Sequence, residues 1–409
     1  MISLWVSYAM FYIGRVNMSI ALPGIMDEFG YSKTVMGGIM TALLIAYAVG
    51  QFVNGQLGDK FGGRIMITLG LALSALFNLL FGFSSFFTAM VVVWALNGYA
   101  QSMGWAPCVK TVANWFPQRM RGRVGSLMGT SYQIGNALSW LLAGFLASFL
   151  NWRWLFWIPA IVLGASALHY YIRGRNCPEA VGLPCIENEG ETTTLVEPSH
   201  DHHLGFKYTI KKVLYSPQIW GMGFGLFFLN IVRYGFIGWA VTFMFEEQGA
   251  QISVAAYKAM AIPLAGSLGA LFAGWLSDKV FHLRRAPATA IMLLALGALC
   301  WLFPSIPKEN WLLSLGVLIL IGFFTYGPHV AIVTYAPMDF ATRKAAASAT
   351  GFIDGMGYIG AALTGIVSGF LIDNYGWNST FYFWMGGAFA AAIVMLLLWN
   401  YRPKVTEYQ

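Results

Sequence analysis

The chain has 409 residues, of which 58% are hydrophobic and only 10% are charged, and its formal net charge is +7. A soluble globular protein carries about 25% charged residues, so this composition excludes an ordinary water-exposed surface. The mean hydropathy of +0.63 points the same way. The sequence therefore predicts a membrane protein that crosses the bilayer many times.

Twelve apolar stretches of roughly 20 residues follow one another along the chain, and each is long enough to cross a bilayer as a helix. We predict spans at residues 2–25, 33–57, 64–82, 88–112, 122–150, 154–172, 217–246, 252–276, 286–305, 311–337, 345–372 and 379–401. The segment 174–216 is the only long polar stretch, which predicts a flexible cytoplasmic linker. It separates an N-terminal six-helix bundle, residues 1–173, from a C-terminal one, residues 217–409.

Basic residues lie almost entirely on one side of the predicted spans. The loops after spans 2, 4, 6, 8 and 10 and the C-terminal tail hold nearly all of them, whereas the opposite loops hold little more than Lys33, Arg153 and Lys308. Cytoplasmic loops carry the excess of lysine and arginine in membrane proteins. We therefore expect a multi-pass protein of the cell (inner) membrane with both termini in the cytoplasm, and no nucleic-acid partner.

The two predicted bundles repeat each other in sequence. Gly55 and Asp59 after span 2 recur as Gly274 and Asp278 after span 8, at an offset of 219. Trp152 recurs as Trp377 at an offset of 225. Parallel repeats of this size are typical of transporters that bind their substrate between the halves near the middle of the membrane. A channel or receptor with twelve spans does not require such a repeat, so the pattern favours a transporter.

Each half places one arginine near the centre of the bilayer, Arg15 in span 1 and Arg233 in span 7. An arginine at that depth costs roughly 2.5–3.5 kcal/mol on insertion scales, so it should face a wet cavity or a partner. Asp354 in span 11 is the only acid well inside a predicted span. One carboxylate cannot neutralise two guanidinium groups, so the sequence predicts a positive site that binds an anion. Two guanidinium forks match a phosphate dianion in charge and geometry.

Polar and aromatic side chains share helical faces with these charges. Such stripes are more often packing than a site, but a shared face with a buried charge favours a lined cavity. The aligned groups are Tyr8 and Tyr12 with Arg15, Tyr47 with Gln51 and Asn54, and Asp354 with Tyr358. His329 in span 10 is either a proton carrier or an ordinary hydrogen-bonded contact between helices.

Five stretches carry a resemblance to a known family. They are Gly55-x-x-x-Asp59-Lys60-Phe61-Gly62-Gly63-Arg64, Gln101-Ser102-Met103-Gly104-Trp105-Ala106-Pro107-Cys108, Arg233-Tyr234-Gly235, Trp275-Leu276-Ser277-Asp278-Lys279-Val280-Phe281 and Tyr326-Gly327-Pro328. The first resembles the loop signature of the major facilitator superfamily, and together they resemble its organophosphate:inorganic phosphate antiporters along nearly the whole chain.

The resemblance implies an all-α major facilitator fold that exchanges an organophosphate for inorganic phosphate by alternating access. It also implies that Arg15 and Arg233 are the paired phosphate-binding arginines, surrounded by Tyr8, Tyr12, Tyr47, Tyr326 and Tyr358. The substrate site that we expect comprises Arg15, Arg233, Tyr8, Tyr12, Tyr47, Gln51, Gln133, Tyr326, Asp354 and Tyr358.

Four positions depart from the antiporter pattern. A lysine usually follows the first arginine and an acid lies five residues after the second, where this chain has Val16 and Gly238. The two losses fit together, because either charge alone would be buried without a partner of opposite charge. Gln51 replaces a second lysine, and Tyr132 or Gln133 replaces a histidine of span 5. The departures predict that phosphate binding is kept and that the organic group differs.

Two other functions compete with phosphate antiport. Gly14-Arg15-Val16-Asn17-Met18-Ser19 is similar to the arginine motif of proton-coupled sugar-acid and organic-anion symporters. Those symporters generally have an acid in span 4, where this chain has Gln101, and they lack an arginine like Arg233. A transport-inactive sugar-phosphate sensor is the third possibility. The sequence has no signature of an enzyme, a cofactor or a metal site, and we expect a monomer.

Overall fold

The computed structural model describes residues 1–116, 118–183, 215–282, 284–335 and 343–400. All regular structure in these ranges is helical. The α-helices are α1 (Ile2–Phe29), α2 (Lys33–Phe83), α3 (Phe87–Gln101), α4 (Trp105–Trp115), α5 (Gln118–Ala147), α6 (Trp154–Arg173), α7 (Pro217–Glu246), α8 (Ile252–Ala259), α9 (Ala261–Trp275), α10 (Arg285–Leu302), α11 (Trp311–Val330), α12 (Arg343–Tyr375) and α13 (Trp377–Leu397). Short 3₁₀ or π segments lie at Pro178–Val181, Leu276–Val280, Phe303–Ser305 and Ala331–Tyr335. Most of the predicted linker, from residue 184 to 214, lies outside the described residues.

Within the described residues, each of the twelve predicted spans coincides with helical structure. Within the described ranges, nine helical segments are long and apolar enough to cross a membrane. The three spans that miss this criterion are span 1, which carries Arg15, span 4, which is divided between α3 and α4, and span 5. The prediction of an all-α membrane protein is confirmed.

Within α2, a single non-helical glycine connects span 2 to span 3. Gly62 has φ 78° and ψ 164°, a conformation that other residues rarely adopt. A Cβ there would collide with the side chain of Asn176, whose Oδ1 accepts a hydrogen bond of 2.8 Å from the backbone N–H of Arg64. The guanidinium of Arg64 then donates from Nε to the carbonyl of Tyr171 at 2.9 Å. These contacts fix spans 2 and 3 against the end of α6.

The internal repeat is also seen in the structure, because equivalent tryptophan and glutamate residues form the same hydrogen bond in each half. Glu28 at the end of α1 accepts a hydrogen bond of 2.7 Å from Nε1 of Trp152. In the second half, Glu246 at the end of α7 accepts one of 3.1 Å from Nε1 of Trp377. The other partner of each carboxylate differs, because Glu28 pairs with Arg153 of its own half and Glu246 pairs with Lys33 of the other half.

The halves pack closely at the end of the bundle where α1, α7 and α12 finish, which we call the outer end because the charge pattern predicts that it faces away from the cytoplasm. Here α2 and α12 touch backbone to backbone, and a Cβ added to Gly365 would lie 2.8 Å from the carbonyl oxygen of Gly37. Asp373 of α12 accepts hydrogen bonds from the backbone N–H groups of Lys33 (3.1 Å) and Thr34 (2.7 Å) at the start of α2. The described contacts therefore close the outer end.

Candidate functional site

A break in α1 positions the first arginine. Gly14, immediately before Arg15, has φ −94° and ψ 16°, outside the helical range. Its carbonyl oxygen accepts hydrogen bonds from the side-chain amides of Asn97 (2.9 Å) and Asn78 (3.1 Å). Backbone groups freed from a membrane helix must find partners inside the protein, and these two amides supply them. The break is thereby held in place by spans 3 and 4.

Arg15 is held by a neutral amide. It exposes only 8% of its surface, and its Nε and Nη2 donate to Oε1 of Gln101 at 3.2 and 3.0 Å. The amide nitrogen of Gln101 donates in turn to the carbonyl of Phe11 and to Oγ of Ser74, both at 2.8 Å. Gln101 therefore orients the guanidinium without neutralising it.

Two tyrosine rings complete the surroundings of Arg15. Its guanidinium carbon lies 4.7 Å from the ring centre of Tyr12 and 4.6 Å from that of Tyr47. The face of an aromatic ring attracts a cation, more strongly where water is excluded. The rings stabilise the buried charge and leave it available to an anion. Nη1 of Arg15 makes no hydrogen bond to any other described residue.

Arg233 is surrounded in the same way from the second half. It exposes 6% of its surface and lies 5.1 Å from the ring centres of both Tyr234 and Tyr326. Its Nη1 lies 3.0 Å from Nε2 of His329. An arginine can only donate, so Nε2 accepts and the imidazole is neutral while this contact lasts. Nε of Arg233 is buried without a partner among the described residues, which leaves a donor for a ligand.

A row of tyrosine rings in tilted contact connects the two arginines across the interface between the halves. Tyr47, which lies against Arg15, has its ring centre 4.5 Å from that of Tyr358 on α12. Tyr358 lies 6.0 Å from Tyr234, the neighbour of Arg233. The path from one guanidinium to the other thus runs over three rings.

A second row of rings joins the arginines by way of α5. Tyr132 lies 6.3 Å from Tyr12 of α1 and 6.4 Å from Tyr326 of α11, measured between ring centres. It also lies 6.2 Å from the ring of His329. Tyr132, one of the two candidates for the family's span-5 histidine, therefore lies beside the rings that surround both arginines. Gln133, the other candidate, accepts a hydrogen bond from Ser267 of α9, at the interface of the halves.

Carboxylates do not neutralise the pair. Within the described ranges, neither guanidinium has a carboxylate oxygen within 4.0 Å. Asp354 is half-buried on α12 and close enough to Arg233 to interact electrostatically, but it forms no ion pair with it. Among the described residues, the acceptors that contact the arginines are neutral, and the two guanidinium groups outnumber the one nearby carboxylate, so their charge is not balanced there.

A cavity of about 60 Å³ opens beside Arg15 on its outer side, between α1, α2, α7 and α12. Its wall is mainly apolar, and it includes Val16 and Gly238, the two positions that depart from the charged pattern of the antiporters. They line one cavity from opposite halves, so the loss of both charges makes a single compartment apolar.

Two of the other predicted site residues make no hydrogen bond to a guanidinium group among the described residues. Tyr8 is one turn before Tyr12, at 6.0 Å between ring centres, and packs against Trp105 at 5.1 Å. Gln51 is half-buried on α2, and its Nε2 has no hydrogen-bond partner among the described residues.

Sequence reasoning missed two parts of the site. The role of Gln101 as the hydrogen-bond partner of Arg15 was not predicted. Its signal was a spacing of four residues between Asn97 and Gln101 in span 4, matched by Ser74 and Asn78 in span 3. Tyr234 gave no comparable signal, because residues adjacent on a helix do not share a face.

Comparison with known proteins identifies the superfamily of the chain. Residues 4–365 match the Major Facilitator Superfamily. The chain belongs to this superfamily. A solved bacterial homolog of the human lysosomal transporter Spinster, in an inward-facing and unoccupied conformation, superposes with a TM-score of 0.74 over 97% of this chain and 94% of that one. The sequence identity is 15%, so this likeness shows the major facilitator fold alone.

Three curated relatives narrow the family. A glycerol-3-phosphate transporter of Bacillus subtilis is 31% identical over 98% of this chain and 91% of its own length. A probable hexose phosphate transport protein of Chlamydia pneumoniae is 30% identical over 99% and 91%. The membrane sensor protein UhpC of Escherichia coli is 30% identical over 97% and 90%. These relatives fit the organophosphate:inorganic phosphate antiporter family, so this major facilitator is a multi-pass membrane protein and not an enzyme.

Proposed function

We propose that this protein exchanges an organophosphate for inorganic phosphate across the cell membrane by alternating access, with both termini in the cytoplasm. The observation that carries the proposal is the pair of buried guanidinium groups, one from each half, with no carboxylate within 4.0 Å among the described residues. Relatives named as carriers of glycerol-3-phosphate and hexose phosphate support a phosphorylated ligand.

The free donors of the site suit a phosphoryl group. Arg15 has Nη1 available beside the Gln101 contact, and Arg233 has Nε available beside the His329 contact. A tetrahedral dianion with several acceptor oxygens can receive both at once, and such charge-assisted bonds are about twice as strong as neutral ones. A monocarboxylate supplies one negative charge, which leaves one guanidinium uncompensated.

The charge of the empty site favours exchange over one-way transport. Two like charges in a partly dehydrated space oppose closure of the halves around them. A bound phosphate bridges the arginines and lowers the barrier to the rocking motion by its higher affinity for the closed state. The outer end is closed here, so reorientation would break the contacts of α2 with α12.

The proposal is tested by counterflow of radiolabelled phosphate in proteoliposomes that contain the purified protein. Internal phosphate should stimulate uptake strongly, and both Arg15→Lys and Arg233→Lys should abolish it, because lysine lacks the fork that binds two oxygens. Arg153→Lys is the matched control, since it makes the same change at an outer-end ion pair with Glu28. Proton-driven uptake of a hexonate that ignores phosphate would refute antiport in favour of carboxylate symport.

A sensor is the second candidate, supported by the 30% identity to the sensor UhpC. A sensor and a transporter share the binding site and differ in turnover. Phosphate binding that depends on both arginines, measured by isothermal titration in detergent, without any counterflow would identify a sensor.

A further inference from the structure

The cavity beside Arg15 has a position that suits the organic part of a substrate. Arg15 lines it, and its other lining residues on α1, which are Val16, Met18 and Ser19, lie nearer the outer end. The opposite wall comes from the second half, with Ile237 and Trp239 of α7. A ligand whose anionic group contacts the arginines would place its remaining atoms against both halves in this cavity.

Besides Arg15, the wall has few hydrogen-bonding groups for a hydroxyl, chiefly the phenol of Tyr234 and Nε1 of Trp239, which has no partner among the described residues. Leu43, Leu44 and Met40 of α2 contribute apolar side chains. The hydroxyl of Ser19 is already occupied, since it donates to the carbonyl of Val16 at 2.8 Å and accepts from Nε1 of Trp140 at 3.1 Å. A site rejects a group that it leaves without hydrogen bonds far more strongly than it rejects a change in apolar size.

The volume limits the organic group as well. At 10–15 Å³ for each water-sized occupant, the cavity of about 60 Å³ holds about four to six such groups. A short carbon chain fits this space, whereas a hexose ring with its hydroxyls is larger and more polar.

We propose that the organophosphate carried by this protein has a short, apolar organic group, as in a small alkyl phosphate or phosphonate, and that this group occupies the cavity beside Arg15. The proposal rests on phosphate exchange as the function of the site. The relatives are named as carriers of glycerol-3-phosphate and hexose phosphate, whose organic groups carry hydroxyls. The substrate proposed here has an apolar organic group, which suits the apolar wall of the cavity.

The test compares matched competitors of phosphate counterflow in wild-type proteoliposomes. Apparent affinity should rise about fourfold for each methylene from methyl to propyl phosphate. Glycerol 3-phosphate, which has the same three carbons with two hydroxyls, should bind at least about tenfold more weakly than propyl phosphate.

Two outcomes separate this proposal from the function on which it rests. Phosphate counterflow together with a flat alkyl series, or with glycerol 3-phosphate equal to propyl phosphate, overturns the apolar substrate and leaves phosphate exchange standing. Absence of counterflow with phosphate and with every ester overturns both.

Variants of the wall supply an independent measurement. A Cβ on Gly238 would lie 3.3 Å from Sδ of Met40, so Gly238→Val fills the cavity and should lower the ratio of propyl phosphate affinity to phosphate affinity about tenfold. Leu44→Asn supplies hydrogen-bonding groups and should shift the preference toward glycerol 3-phosphate. Gly386→Val is the control, because nothing lies within 4 Å of its added Cβ. Unchanged ratios in both wall variants overturn the assignment of the cavity.

Discussion

Replacing Gln101 by glutamate tests whether the site works because its arginines lack a carboxylate. Oε1 of Gln101 now accepts from Nε and Nη2 of Arg15 at 3.2 and 3.0 Å. Glutamate has the same length and places a carboxylate at the same point. The buried ion pair would neutralise Arg15, and phosphate would have to displace or share the guanidinium. We expect Gln101→Glu to weaken phosphate binding while the protein still reaches the membrane.

The size of the loss follows from the change in the two hydrogen bonds. Both bonds already have a charged donor, so the substitution adds only the negative charge of the acceptor. At an effective dielectric constant of about 20, opposite unit charges about 4 Å apart attract by about 4 kcal/mol, and desolvation of the new carboxylate offsets part of that. The additional stabilisation of the unoccupied site is therefore about 1–3 kcal/mol, which phosphate must overcome. That range corresponds to an apparent affinity lowered by about 5- to 150-fold.

The assay is the concentration dependence of phosphate counterflow in proteoliposomes. Gln248→Glu is the matched control, because this glutamine accepts a hydrogen bond from Ser314 (3.0 Å) at the outer end and not in the site. Acidification should restore part of the affinity of Gln101→Glu, since a protonated glutamate is again a neutral acceptor. Wild-type affinity for phosphate in Gln101→Glu at neutral pH would refute the argument that an uncompensated Arg15 is what binds the anion.

Three further predictions concern the second half and the outer end. Asp354→Asn removes a negative charge that interacts with Arg233 without pairing with it, so phosphate affinity in counterflow should rise about three- to tenfold. His329→Phe removes the acceptor for Nη1 of Arg233 and should lower that affinity about tenfold, whereas His329→Gln, which keeps an acceptor, should lower it less than about threefold. Gly365→Val should force α2 from α12 and raise the labelling of Leu44→Cys by an impermeant maleimide from outside about tenfold.

Each of these has a result that contradicts it. A lower phosphate affinity in Asp354→Asn would make the carboxylate a ligand of the substrate. Equal loss in both His329 variants would show that the imidazole acts by its shape and not by accepting a hydrogen bond. Gly386→Val, which meets no atom within 4 Å, controls for the bulk of valine, and equal labelling with it would locate the closure of the outer end elsewhere.

Most of the fold could be predicted because hydropathy and repetition are properties of the sequence itself. The span limits agree with the helices to within a few residues, for example 154–172 against α6 at Trp154–Arg173. The interruption of span 4 between α3 and α4 was not predicted. Ser102 and Gly104 at that point do not exclude a continuous helix by their composition alone.

The site could be predicted as a set of charges and not as a geometry. Arg15 and Arg233 could be predicted because an arginine inside the membrane is energetically costly. Asp354, the only acid well inside a predicted span, cannot neutralise both. The break at Gly14 was not evident, because it exists only where Asn78 and Asn97 of other spans reach its carbonyl oxygen. Such tertiary hydrogen bonds leave a weak trace in sequence, here the spacing of amides by four residues.

The repeat also explains how the halves are coupled at the outer end. In the first half, the tryptophan that bonds to Glu28 is followed by Arg153, which pairs with the same carboxylate. In the second half, the equivalent Trp377 is followed by Asn378, which has no charge to offer Glu246. The carboxylate instead pairs with Lys33 of the first half at 3.2 Å. The absence of one cation from the second repeat thus turns a bond within a half into a bond between halves, which must break whenever the outer end opens.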